Sequence, residues 1–248
     1  MNRLQLDEIA GGILVKETIN NYEDLLQMLD HFLKEESTFN WDHFYSVRER
    51  NVPFFANEPD ENLVEYIEKQ LIKPGKVLEL GCGPGRNAIY LAEKGFIVDA
   101  IDLSEEALEW GRERANERNL NINFIQQNIF DLDIEESSYD LVYDSGCFHH
   151  IAPHRRMSYL DLVKRALKPE GFFGITCFME GGKFGGADLS DWEVYRLRSL
   201  KGGLGYTEEK LRPIFKDFEE IEIRKMNSRP NENRFGLEGL LTALFKYR

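Results

Sequence analysis

The chain has 248 residues, 42% of them hydrophobic and with 17 Phe, 10 Tyr and 3 Trp, which is enough apolar material for one sizeable α/β domain with or without a small appendage. Forty-four acidic residues against 31 basic ones leave a formal net charge of −13, a surface that repels phosphate backbones, so no nucleic-acid partner is expected. No run reaches the roughly 18 to 20 apolar residues of a membrane helix, the first residues lack a basic-then-apolar leader, and a cytoplasmic protein with no membrane partner is expected.

Residues 20–36 place Tyr22, Leu25, Leu26, Leu29, Phe32 and Leu33 at helical spacing, with Asn20 or Asn21 as N-cap. Residues 37–59 break that rhythm; they are aromatic-rich and contain Pro53 and Pro59. A second helix is predicted over 60–71, capped by Asp60 and closed by Lys73-Pro74-Gly75. From Lys76 onward, short apolar runs at 77–80, 97–101, 122–125, 141–143 and 172–178 alternate with helical segments at 86–94, 105–118 and 154–168. That alternation belongs to a parallel sheet with crossover helices. The glycine-rich stretch 180–205 is expected to be flexible, a helix follows at 207–215, and 221–226 with 240–247 are expected to form an antiparallel hairpin on the sheet edge. The predicted fold is α/β: a Rossmann-like, seven-stranded, mostly parallel sheet flanked by helices (74–248), preceded by an N-terminal helical cap (1–73), in one structural unit.

Cys82, Cys147 and Cys177 have neither the number nor the grouping of a disulfide framework or a structural zinc site, and no metal is expected. The chemistry concentrates instead in residues 77–104. A buried strand ends in Glu79-Leu80 and enters Gly81-Cys82-Gly83-Pro84-Gly85, where the glycines let the backbone turn sharply and approach a ligand. A second strand ends in Asp102, about 20 positions past the first glycine, where an acidic side chain can take ribose hydroxyls. The spacing is not the Gly-x-Gly-x-x-Gly of dinucleotide sites, no Walker lysine follows, and Glu79 suits a cationic amino or sulfonium group better than a pyrophosphate. Each residue also has a plain structural reading: Glu79 at a strand end, Asp102 as a helix N-cap, Asn128 in a turn. Ser104 already stands ready to cap the helix before Glu105 and Glu106.

With these residues in register, Glu79 to Gly85 resembles motif I of the class I S-adenosylmethionine-dependent methyltransferases. The resemblance continues through Asp102, Asn128 and Asp144 and covers residues 74–180 well. Gly85-Arg86-Asn87-Ala88-Ile89-Tyr90-Leu91-Ala92 resembles the branch holding tellurite-resistance and thiopurine methyltransferases, which act on small molecules, often at sulfur. The resemblance implies S-adenosylmethionine as cofactor. Gly81, Cys82, Gly83 and Gly85 would line its methionine part, Glu79 would lie near its amino group, and Asp102 would take the ribose. Leu103, Asn128 and Ile129 would meet the adenine, and Asp144 completes the implied cofactor set. Asn128 stands where the family often has Asp.

The acceptor is expected outside the carboxyl end of the fourth strand, before His149 and His150. These two are the candidate general bases, since a histidine titrates near neutral pH; capping a helix or satisfying a buried carbonyl is an equal alternative. Segment 38–59 is the expected lid, with Trp41 and Tyr45 as substrate contacts and Phe54 and Phe55 as core. Trp192 is the candidate from the 180–205 loop. The expected reaction is methyl transfer to a small-molecule nucleophile, sulfur slightly favoured, by a monomer or homodimer. The alternatives are a non-catalytic S-adenosylmethionine-binding module and an NAD-type oxidoreductase on a similar sheet.

Overall fold

A computed structural model describes residues 18–33, 39–228 and 233–248. The first 17 residues and parts of the expected helix 20–36, of the lid and of the loop 227–233 therefore lie outside the described residues.

Helix α1 (Tyr22–Leu33) begins where Asn21 accepts a hydrogen bond from the Asp24 N–H at 2.9 Å. Short helix α2 (Trp41–Ser46) is capped by Asn40, and Pro53–Phe55 forms a 3₁₀ turn. Helix α3 (Glu61–Glu68) starts at Asp60, but Asp60 makes no capping bond; its carboxylate turns inward. The alternating part follows as β1 (Lys76–Leu80), α4 (Arg86–Glu93), β2 (Ile97–Asp102), α5 (Glu105–Glu117), β3 (Asn123–Gln126), β4 (Tyr139–Ser145), α6 (Arg156–Ala166) and β5 (Leu167–Phe178). Helices α7 (Asp191–Leu197) and α8 (Glu208–Ile214) precede β6 (Glu219–Lys225) and β7 (Leu240–Lys246).

The seven strands lie in the order β3-β2-β1-β4-β5-β7-β6. The first five pair in parallel, and β7 inserts antiparallel between β5 and β6. The expected hairpin is present, with β6 as the edge. Because β1 and β4 are neighbours although the chain visits β2 and β3 between them, the carboxyl ends of β1 and β4 flank a crevice where ligands bind in such sheets.

The two-residue period of the strands divides the core. Leu78, Leu80, Val142 and Phe173 face the layer of α6 and α8, with Tyr159, Leu211 and Phe215. Val77, Leu141 and Tyr143 face α3 and α4, with Leu63, Tyr66, Ala88 and Leu91. Glu79 shares the face of Val77 and pairs in register with Tyr143, so it points beneath α4. Asp144 follows the opposite alternation, toward Tyr159 of α6. Segment 180–205, expected to be flexible, is closed at its base by a bridge between Met179, just after β5, and Tyr206, and across itself by one between Ala187 and Leu204. Its helix α7 carries a complete capping box on Ser190 and Glu193.

Candidate cofactor and acceptor site

The loop after β1 is built from left-handed turns. Gly81, Gly83 and Gly85 have φ of +65°, +52° and +72°, a region that side chains rarely enter. A Cβ on Gly81 would lie 2.7 Å from the Cβ of Cys147, and one on Gly83 would lie 3.0 Å from the Tyr45 hydroxyl. The loop after β4 and helix α2 thus converge on the glycine loop. Cys82 keeps its thiol protonated, since burial and the nearby Asp102 and Glu79 raise its pKa well above the ordinary value.

Asp102 ends β2 beside this loop. One carboxylate oxygen accepts from the Gly83 N–H at 2.8 Å and the other from the Ser104 N–H at 2.9 Å. Ser104, not Asp102, caps α5: its hydroxyl accepts from the Ala107 N–H at 3.2 Å and donates to Asp42 of α2 at 2.7 Å. Each Asp102 oxygen keeps a lone pair beyond its backbone bond, and burial raises its pKa. Leu103 is 54% exposed beside it. At the end of β3, Asn128 caps a short turn by accepting from the Phe130 N–H at 3.1 Å, and Ile129 is buried. Leu103, Asn128 and Ile129 therefore stand at the carboxyl ends of adjacent strands.

Glu79 is fully buried and one carboxyl oxygen, Oε2, has no partner. Burial pushes its pKa up to about 8, against the pull of Arg86. An orphaned buried carboxyl oxygen beneath a cradle that side chains would fill is a fit for a ligand bearing a cationic head. Asp144 is placed otherwise. One oxygen accepts from the Tyr159 hydroxyl at 2.7 Å and the other from the Cys147 N–H at 2.9 Å, so it shapes the loop after β4 from the α6 face of the sheet. Burial raises its pKa to about 6.

The two histidines separate. The ring of His149 stacks on Phe178 at 3.6 Å, and its Nδ1 accepts the Phe178 N–H at 3.2 Å. With Nδ1 occupied as acceptor, the proton of the neutral ring sits on Nε2, and burial keeps the pKa far below the ordinary value. In this arrangement His149 buttresses the end of β5. His150 packs edge-on to Trp41, with ring centroids 5.1 Å apart, and burial lowers its pKa to about 4. Trp41 stacks with Tyr45 at 6.2 Å, and Tyr45 with Phe55 at 5.6 Å. Phe55 is buried in this aromatic cluster, and Phe54 packs against it partly buried. Trp192 is 76% exposed, on the outer face of α7, and does not join the wall, contrary to expectation.

Sequence reasoning gave no site role to Arg86 or Ser145 and read Asp60 only as a helix cap; the three meet behind the glycine loop. The available signal was two polar residues, Arg86 and Asn87, opening a helix that otherwise turns Ala88, Ile89 and Leu91 inward. A cleft of about 610 Å³ between α3 and α4 also touches Arg86, but no residue of the glycine loop lines it.

The comparisons agree with this geometry. A family model described as a methyltransferase domain matches residues 77–171. An uncharacterized methyltransferase of Schizosaccharomyces pombe is 40% identical over 134 residues, 52% of this chain and 90% of that protein. One of Synechocystis is 37% identical over 111 residues, 44% of this chain, and the match spans only 50% of that relative's length. Among solved structures, TehB of Haemophilus influenzae is 26% identical with a TM-score of 0.57, covering 75% of this chain and 62% of that one. A Burkholderia thailandensis 1,6-didemethyltoxoflavin N1-methyltransferase holding S-adenosylhomocysteine shares the fold, with 21% identity and a TM-score of 0.60 over 94% of this chain and 92% of that one. Motif, sheet order and relatives converge: the chain belongs to the class I S-adenosylmethionine-dependent methyltransferases.

Proposed function

We propose that this protein moves the methyl group of S-adenosylmethionine to a small-molecule nucleophile that enters against Trp41, Tyr45 and His150. The observation that carries the reading is the free oxygen of Glu79 beneath the left-handed glycine loop, with Asp102 tied to Gly83 at the loop's rim. In this reading Asp102 accepts from the ribose hydroxyls. Leu103 and Ile129 flank the adenine, Asn128 faces its amino group, and Glu79 faces the methionine ammonium. The cofactor, when bound, supplies a methyl carbon on a sulfonium leaving group, so no covalent enzyme intermediate is needed and Cys147 stays a thiol. The chain's contribution is alignment and exclusion of water by the aromatic lid.

His150 contacts the acceptor and does not deprotonate it, because a ring with a pKa of about 4 is a poor base at neutral pH. The acceptor therefore arrives already nucleophilic, which favours an acidic thiol or another soft sulfur centre over an alcohol. A net charge of −13 supports a small molecule over a nucleic acid.

Calorimetric titration of S-adenosylmethionine, S-adenosylhomocysteine and NAD tests the reading. Both sulfur compounds are expected to bind, NAD is not, and Asp102→Ala weakens binding by about 1 to 3 kcal/mol. Binding of NAD alone overturns it. Binding without turnover across a panel of thiols, phenols and amines leaves a non-catalytic binding module.

A further inference from the structure

Behind the glycine loop, three buried ionisable side chains from three elements meet. Strand β1 supplies Glu79, the first residue of α4 supplies Arg86, and the strap leading into α3 supplies Asp60. The strap is docked through the Asp60 N–H, which donates to Asn87 Oδ1 at 2.8 Å, and through the Asp60 carboxylate, which accepts from the Tyr143 hydroxyl at 2.7 Å. Arg86 and Asp60 form an ion pair at 2.7 Å without hydrogen-bond geometry. The guanidinium spends its donors elsewhere, on the Glu58 carbonyl at 3.0 Å and on Ser145 Oγ at the end of β4 at 2.8 Å, and it lies over the Phe235 ring at 4.2 Å. Arg86 therefore joins the strap, the C-terminal loop and the acceptor end of β4.

Few groups face Glu79. From α4 come Arg86, the Asn87 side chain and the Ala88 N–H; from the strap comes Asp60. Strand β4 contributes Tyr143, and the glycine loop contributes Cys82. The two charges act in opposite senses: Arg86 favours the ionised carboxylate and Asp60 opposes it.

We propose that Arg86 and Asp60 are positioning residues of the cofactor site, which together hold Glu79 under the glycine loop with one oxygen free and protonated until the cofactor's cationic head displaces that proton to solvent. The inference rests on the methyl-donor reading above. The exchange balances: the Glu79 carboxyl O–H bond breaks, the proton leaves to buffer, and the carboxylate pairs with the incoming cation. Burial raises the carboxyl to about 8 in the free chain, so affinity rises with pH toward that range and falls again where the ligand's own ammonium gives up its proton.

The test titrates S-adenosylmethionine and S-adenosylhomocysteine into the whole chain from pH 6 to 9, in pairs of buffers with different ionisation enthalpies, so that protons released are counted. Wild type is expected to release close to one proton at pH 6.5 and progressively less as pH rises toward 8, and Glu79→Gln to lose the release at pH 6.5. Arg86→Gln and Asp60→Asn break the same ion pair, yet they are expected to move the pH midpoint of affinity in opposite directions, up and down respectively, by about one pH unit each. Should Arg86→Gln not fold, Arg86→Lys is expected to keep the midpoint near wild type while weakening acceptor use, since an ammonium cannot also hold Ser145 in a planar fork. Midpoints that stay put, or move together, make the pair merely structural and overturn the proposal. Wild-type binding without proton release overturns it as well and leaves the methyl-donor reading intact. No binding of either compound overturns that reading first.

Discussion

At the residue scale, the site is a set of side chains whose partners leave some groups free and commit others. His149 is committed: removing it deletes the acceptor of the Phe178 N–H and a stacked ring, so His149→Ala is expected to lower stability by about 1 to 3 kcal/mol in urea unfolding. A loss under a few tenths would show that the buttress carries little. His150 is free of such bonds. For His150→Gln, the acceptor KM is expected to rise several-fold while the pH profile of kcat between 5.5 and 8 keeps its shape, because the native ring is neutral throughout that range. Loss of a limb near neutral pH in this variant would restore His150 as a base.

At the element scale, two N-terminal helices are held by different chemistry. Helix α1 is bolted down by charge: Arg155 reaches Glu23 at 2.9 Å and Asp30 at 3.0 Å, and His154 bonds Asp30 at 2.8 Å. Helix α2 is only six residues long, too short to be stable alone. It leans on the N-terminus of α5, where Asp42 accepts from Ser104 and sits in the favourable end of the helix dipole. Arg48 adds an ion pair with Glu113, and Phe44, Tyr45 and Phe55 supply apolar contact. Asp42→Ala is therefore expected to speed amide exchange across 41–46 several-fold while exchange in α4 and β1 stays unchanged. Exchange that rises equally everywhere would mean that α2 is part of the global core and not a separate lid.

At the scale of the whole molecule, buried groups that refuse charge give the unliganded chain a characteristic pH response. His149 and His150 are held neutral in the fold, so their contribution to stability is present above their unfolded value of 6.5 and lost as pH falls, for His150 toward about 4. Glu79 has a raised value, from 4.5 to about 8, so its contribution is full below the unfolded value and lost as pH rises through 8. Asp144 acts in the same sense around pH 6. Above 6.5 the histidine effect is spent and Glu79 dominates. The Tm of the free protein is therefore expected to fall from pH 6.5 to 8.5, and in Glu79→Gln the fall is expected to flatten. A Tm that rises over that interval in wild type would contradict the burial of a protonated Glu79.

The sequence by itself determined the strand-and-helix alternation, the glycine loop and the positions of Glu79, Asp102 and Asn128, because these follow from local periods and short-range backbone demands. Arg86 was visible as the residue after Gly85, but not as a strut, since its partners Asp60 and Ser145 lie 26 residues before it and 59 residues after it. Only packing across the sheet brought them together. The same holds for the histidines: adjacency in the chain made them look alike, and the environment made one a buttress against Phe178 and the other a wall beside Trp41. Its place at a strand end makes Asp144 a residue expected to face the ligand. The two-residue alternation of β4 turned it to the opposite face, where Tyr159 awaited it. Local pattern names the candidate residues; which face, which partner and which charge state each one has is decided by the groups that folding brings within reach.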